Sequence, residues 1–98
     1  RDLVRSRGLG DVYKRQMLLL GKCYDAKNMH DMALRQLEEA NKELIEMNDT
    51  KKEILYMIGL LYEKQGKKGE SLAAFQQIYD AEYGYRDVAR RVESSYGN

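Results

Sequence analysis

Few residues here could carry covalent or metal chemistry. Cys23 and His30 are each the sole residue of their kind in a chain of 98. Together they could build a thiol nucleophile activated by an imidazole. Seven positions apart, they would lie about 10 Å from each other on a continuous helix, beyond hydrogen-bond reach. The sequence places Cys23 in mid-helix, where a buried structural thiol is expected, and His30 in a turn beside Met29 and Asp31, as a surface residue. A single cysteine excludes an intramolecular disulfide and a cysteine-based zinc site. Glu38, Glu39, Glu43 and Glu46 read as the solvated face of a helix, with Glu38 and Lys42 an i,i+4 pair worth about a few tenths of a kcal/mol. No calcium loop, phosphate loop or zinc-protease spacing occurs, and Gly8-Leu9-Gly10 has Tyr13 where a dinucleotide fingerprint needs its third glycine. No catalytic residue, cofactor or metal is expected.

A basic cluster is the other candidate. Arg86 and Arg90 are read on one helical face, with Arg91 beside them, and could touch phosphate. Asp87 lies close enough in sequence to neutralise Arg90 and Arg91, so a charged outer face is the expectation and nucleic acid an alternative. Seven tyrosines follow residue 16, but most fall at packing positions rather than where bases could stack.

The elements that must position these residues are helical. Hydrophobic residues make up 43% and charged residues 34%, with no proline or tryptophan, as in one small helix-rich domain. Apolar runs such as Met17-Leu18-Leu19-Leu20 are far shorter than the about 18–20 residues needed to cross a bilayer. A first helix carries Leu20, Gly21 and Tyr24 and stops at Asn28, which tolerates positive φ. Ala33, Leu37, Ala40 and Leu44 line a second, broken at Asn48-Asp49-Thr50, which offers a cap for the next. Leu55, Ile58, Gly59 and Tyr62 line a third, ended by Gly66. Leu72, Phe75, Ile78 and Tyr79 line a fourth. Tyr85, Val88, Ala89, Val92 and Tyr96 line a fifth, after a break at Gly84. No segment alternates with period two over a useful length, so the class is all-α.

The first two helices recur. Leu20-Gly21-x-x-Tyr24 returns as Ile58-Gly59-x-x-Tyr62, 38 residues later, with Gly66 matching Asn28, Ser71 matching Ala33 and Phe75 matching Leu37. Mid-helix glycine costs about 1 kcal/mol relative to alanine, so two at one offset argue for close helix approach. Tyr62 and Phe75 are the expected anchors, each costing about 3 kcal/mol or more on truncation to alanine.

This pattern resembles the tetratricopeptide repeat, whose signature runs Trp-x-x-Leu-Gly-x-x-Tyr, then a small residue and a large apolar one, over about 34 residues. Met17 stands in the tryptophan position; Leu20, Gly21, Tyr24, Ala33, Leu37 and Ala40 match, and in the second copy Leu55, Ile58, Gly59, Tyr62, Ser71 and Phe75. Ile78 replaces the usual alanine, the expected prolines are missing, and the longer period adds about one helical turn around Met47-Asn48-Asp49-Thr50. The resemblance covers residues 17 to about 83. It implies two antiparallel helix-turn-helix repeats, 17–48 and 51–83, and a capping helix, 85–96, in a right-handed solenoid. It also implies a non-enzymatic scaffold that holds a peptide or partner protein on its concave face, at Leu18, Lys22, Asp25, Tyr56, Leu60 and Glu63. The asparagine and lysine set that clamps chaperone tails in some such repeats is not reproduced. Alternatives are the accessory arm of an enzyme or signalling protein, and a ribonucleoprotein adaptor working through Arg86, Arg90 and Arg91. Low cysteine use agrees with a cytoplasmic home.

Residues 1–16 hold five basic against two acidic residues, whereas residues 17–98 hold twelve against fourteen. The string from Ser6 to Gln16 resembles the in-frame translation of a transposase-based sequencing adapter. On that resemblance residues 1–16 are non-native and irregular, Met17 is internal, and residues 17–98 come from the C-terminal end of a bacterial multi-repeat protein. Leu18, Leu19 and Cys23 would then form an uncovered surface, open to self-association.

Overall fold

The computed structural model describes residues 15–24, 26 and 28–96. These form five helices and, among the described residues, no strand: α1 over residues 15–24, α2 His30–Glu43, α3 Asp49–Lys64, α4 Lys68–Ala81 and α5 Val88–Tyr96. Residues 1–14, which hold most of the adapter-like string, lie outside the described residues. Arg15 and Gln16 are already helical, so no break falls before Met17, and Met17 itself is buried.

Each helix packs on its neighbour in the chain, and the α1–α2 and α3–α4 pairings share one geometry, as a helical repeat would. A Cβ built on Gly21 would lie 2.8 Å from Leu37 Cγ, and one on Gly59 would lie 2.6 Å from Phe75 Cζ. In both pairs the glycine gives up its side chain so that a large apolar residue from the next helix can rest on the backbone. The turns match as well. Asn28 has φ of 61° and Gly66 has φ of 78°, the left-handed position that ends a helix. Met29 N–H donates to Tyr24 O at 2.7 Å, and Lys67 N–H donates to Tyr62 O at 2.9 Å. Ala33 N–H then donates to Met29 O at 3.1 Å and Ser71 N–H to Lys67 O at 3.0 Å, so the next helix starts alike in both. Ser71 is the one buried polar residue among those described, and its hydroxyl donates to Gly59 O at 2.8 Å, so the small residue at the crossing also satisfies a backbone carbonyl.

The link from α2 to α3 is set by its own polar groups. Asn48 caps α3, its side chain accepting from Lys51 N–H at 2.9 Å. Lys51 Nζ turns back to donate to Asn41 O at 3.0 Å and Leu44 O at 2.7 Å, holding the C-terminal end of α2. Burial pushes that ammonium below its ordinary value.

The core runs through Ala33, Leu37, Ala40, Ile54, Leu55, Ile58, Leu61, Phe75, Ile78, Val88 and Val92. Several sequence expectations need correction. Leu20, read as a packing position, is exposed; Cys23 is exposed too, contrary to the buried-thiol reading and in agreement with its place in the uncovered surface. Leu19 is exposed as expected, but Leu18 packs half-buried against the core. α2 ends at Glu43, so Leu44 is buried as an extended cap residue and Glu46 lies beyond the helix. Glu38 is no part of a solvated face: it is half-buried and accepts the Tyr62 hydroxyl, which together with burial pushes the phenol up to about 12. The fifth helix begins at Val88, not Tyr85, because Arg86 takes φ of 42° in the preceding loop. Tyr96, read as packing, is exposed.

Candidate protein-interaction surface

α1 and α3 occupy equivalent places in the two pairings, so their matching turns carry the residues the sequence singled out. Lys22 is exposed on α1, and Leu18 and Leu60 are half-buried against the core. Asp25 lies outside the described residues. Tyr56 and Glu63 are taken up by the C-terminal segment. Tyr56 packs edge-on against Phe75 and Tyr85, with ring centroids 5.5 and 6.1 Å away, and its hydroxyl donates to Asp87 at 2.7 Å. Glu63 accepts two hydrogen bonds of 3.0 Å from Arg91.

The three arginines sit in the same network. Arg86 donates to both oxygens of Glu53, at 3.0 and 2.8 Å, and lies over the rings of Tyr56 and Tyr85 at 5.0 and 5.5 Å. Arg90 and the Nε of Arg91 each donate to Asp87 at 3.0 Å, and the Arg91 guanidinium lies 5.0 Å over Phe75. Arg86 is outside the helix, so it does not share a helical face with Arg90 as the sequence suggested. Every arginine of the cluster meets a carboxylate, and a phosphate would have to displace one.

Asp87 is the hub, accepting from Tyr56, Arg90 and Arg91. Burial opposes its ionisation, but the hydrogen bonds from Tyr56 and Arg91 outweigh this and hold its carboxyl below the ordinary carboxylate value. A depressed carboxylate pKa stabilises the fold above the unfolded-chain value and loses that contribution as pH falls through the folded value. Asp87→Asn is therefore expected to cost about 1–2 kcal/mol at neutral pH. Urea unfolding of both proteins should show the gap closing as pH falls below the ordinary carboxylate range and through the depressed folded-state value. A gap that persists in acid would mean the carboxylate charge is not what joins α5 to α3.

The sequence identified Asp87 as a neutralising charge but not its bonds across to α3. Glu53 gave no sequence signal beyond its charge and Glu63 was read as a peptide-binding position; the pairing of either with an arginine depends on how the C-terminal segment returns over α3. Cys23 and His30 remain on separate helices, exposed on α1 and half-buried at the start of α2. Among the described residues no three His, Cys, Asp or Glu side chains are grouped to hold a metal ion, and no helix is long and apolar enough to cross a membrane.

What the fold and these surfaces define is an all-helical protein whose helix pairs repeat one packing geometry. No family model, curated protein or solved structure matches the chain.

Proposed function

We propose that this chain is a non-enzymatic protein-interaction scaffold of the tetratricopeptide-repeat type, a segment of right-handed solenoid that binds a peptide or partner protein along α1 and α3. One observation carries the reading: a glycine on the first helix of each pair receives a large apolar side chain 16 residues later, Leu37 on Gly21 and Phe75 on Gly59. A unit stacked this way presents the first helix of every pair as one row. Leu18, Lys22 and Leu60 are the residues of that row, among those described, that retain accessible surface without an intramolecular polar partner. Tyr56 and Glu63 of the row are already engaged, by Asp87 and Arg91 respectively.

Selection of a displayed random-peptide library on the purified chain tests this. Enriched peptides should bind at micromolar strength and lose about tenfold or more on Leu60→Glu, with a smaller loss on Lys22→Glu. Failure to enrich any peptide, or peptides indifferent to both changes, would remove the reading.

A further inference from the structure

Two residues other than glycine have positive φ among those described, and they differ in kind. Asn28, at 61°, ends a helix, where asparagine adopts that conformation with little strain. Arg86, at 42°, lies in the linker of residues 82–87 between α4 and α5. An arginine holds such a backbone only against strain, so groups elsewhere must keep it there. Those groups are on α3. Glu53 accepts from the guanidinium at 3.0 and 2.8 Å, and the guanidinium carbon lies 5.0 Å from the centre of the Tyr56 ring.

The linker is otherwise compatible with helix. It contains no proline, and Gly84 is its poorest helix former. The apolar spacing runs on through it, since Phe75, Ile78, Tyr85, Ala89, Val92 and Tyr96 keep steps of three, four or seven residues. The chain thus has two ways to join α4 to α5. One is the closed turn, locked by Glu53. The other is a continuous helix, which relieves the strain at Arg86 and carries α5 away from its own α3.

We propose that two copies of this chain exchange α5, each laying its Val88, Arg91 and Val92 on the α3–α4 pair of the other. Val88 and Val92 are buried, and Arg91 holds Glu63 through two bonds of 3.0 Å. A departing α5 uncovers those places, and the α5 of a second copy supplies the same groups to fill them. Exchange reuses these contacts. It gives up the Glu53–Arg86 lock and the independent motion of two chains, and it relieves two strained linkers. The dimer carries two α3 helices, and its formation does not depend on what they bind.

Charge reversal in two separate chains tests the proposal. Glu63→Arg and Arg91→Glu each set like charges against one another between α3 and α5 of a closed monomer. Mixed in equal amounts, the two variants regain opposite charges only when the α5 of each lies on the other. Sedimentation equilibrium of the mixture should show a one-to-one dimer, about tenfold or more tighter than either variant forms alone. In the otherwise unaltered chain, Gly84→Ala should strengthen the dimer about tenfold or more, because alanine favours the continuous helix in both linkers. A Cβ on Gly84 meets nothing within 4 Å, so the closed fold accepts the change, and this arm stands even if a reversed charge disturbs folding. The proposal is overturned if the mixture associates no more tightly than its components, or if Gly84→Ala leaves association unchanged. A dimer that Leu19→Glu abolishes would assign association to the exposed side of α1 and overturn it too.

Discussion

Phe75→Ala is expected to cost about 3–5 kcal/mol, the largest single loss available in this chain. Phe75 is 1% exposed and is the largest fully buried side chain. Its ring meets Gly59 on one side, Tyr56 edge-on at another and the Arg91 guanidinium at 5.0 Å. Truncation removes the apolar contact between α3 and α4, and it also removes the surface on which the α5 network rests. A domain of this size has about 5–10 kcal/mol in hand, so much of it would be spent at once. Urea unfolding followed by far-ultraviolet circular dichroism measures the loss. Tyr62→Ala should cost less than the equal value its sequence position suggests, because Tyr62 is half-buried at the edge and its hydroxyl is held by Glu38. If Tyr62→Ala proves the more damaging of the two, the core is centred elsewhere.

Gly59→Val should be the second largest, at about 3 kcal/mol or more, through overpacking rather than a cavity. A Cβ alone would stand 2.6 Å from the Phe75 ring, and valine adds two further carbons to a rigid helix backbone. The ring is enclosed, so α3 and α4 must part. Gly21→Val should be milder: the obstructing group is the branched end of Leu37, at 2.8 to 2.9 Å, which is smaller than a ring and can turn away more easily. The informative variant is the double change Gly59→Val with Phe75→Leu. The smaller side chain makes room for the larger one, so the pair should cost less than the two single changes summed. Strict additivity would show that the glycine and the phenylalanine are not in contact.

The two predictions rest on a pairing already visible in the sequence. Gly21 with Leu37 and Gly59 with Phe75 stand at one spacing, and no chemistry other than close packing explains a glycine in the middle of each helix. Asn28 and Gly66 were legible for a related reason: a left-handed turn admits few residue types, so type alone identifies the site. The Asn48 cap belongs with them, since it acts within one turn of chain.

What the sequence left unread depends on distance through space. Leu20, Leu44 and Tyr96 each keep the helical spacing of a packing residue, yet Leu20 and Tyr96 are exposed and Leu44 is buried outside its helix. Periodicity marks a face, and only a neighbouring helix decides whether that face is covered. Glu38 and Glu63 look alike as surface acids, but one receives a tyrosine from α3 and the other an arginine from α5, across separations of 24 and 28 residues. The arginine cluster shows the same division most plainly. Its charge was evident from composition, and Asp87 was near enough in sequence to be named. That Glu53 and Glu63 complete the neutralisation, pairing with Arg86 and Arg91, follows from the return of the C-terminal segment over α3. Local chain chemistry thus determined the helices, their stops and the glycine crossings, because each acts within a few residues. The tertiary structure decided which charges are spent and which surface stays open, because ion pairing and burial are set by the approach of segments far apart in the chain.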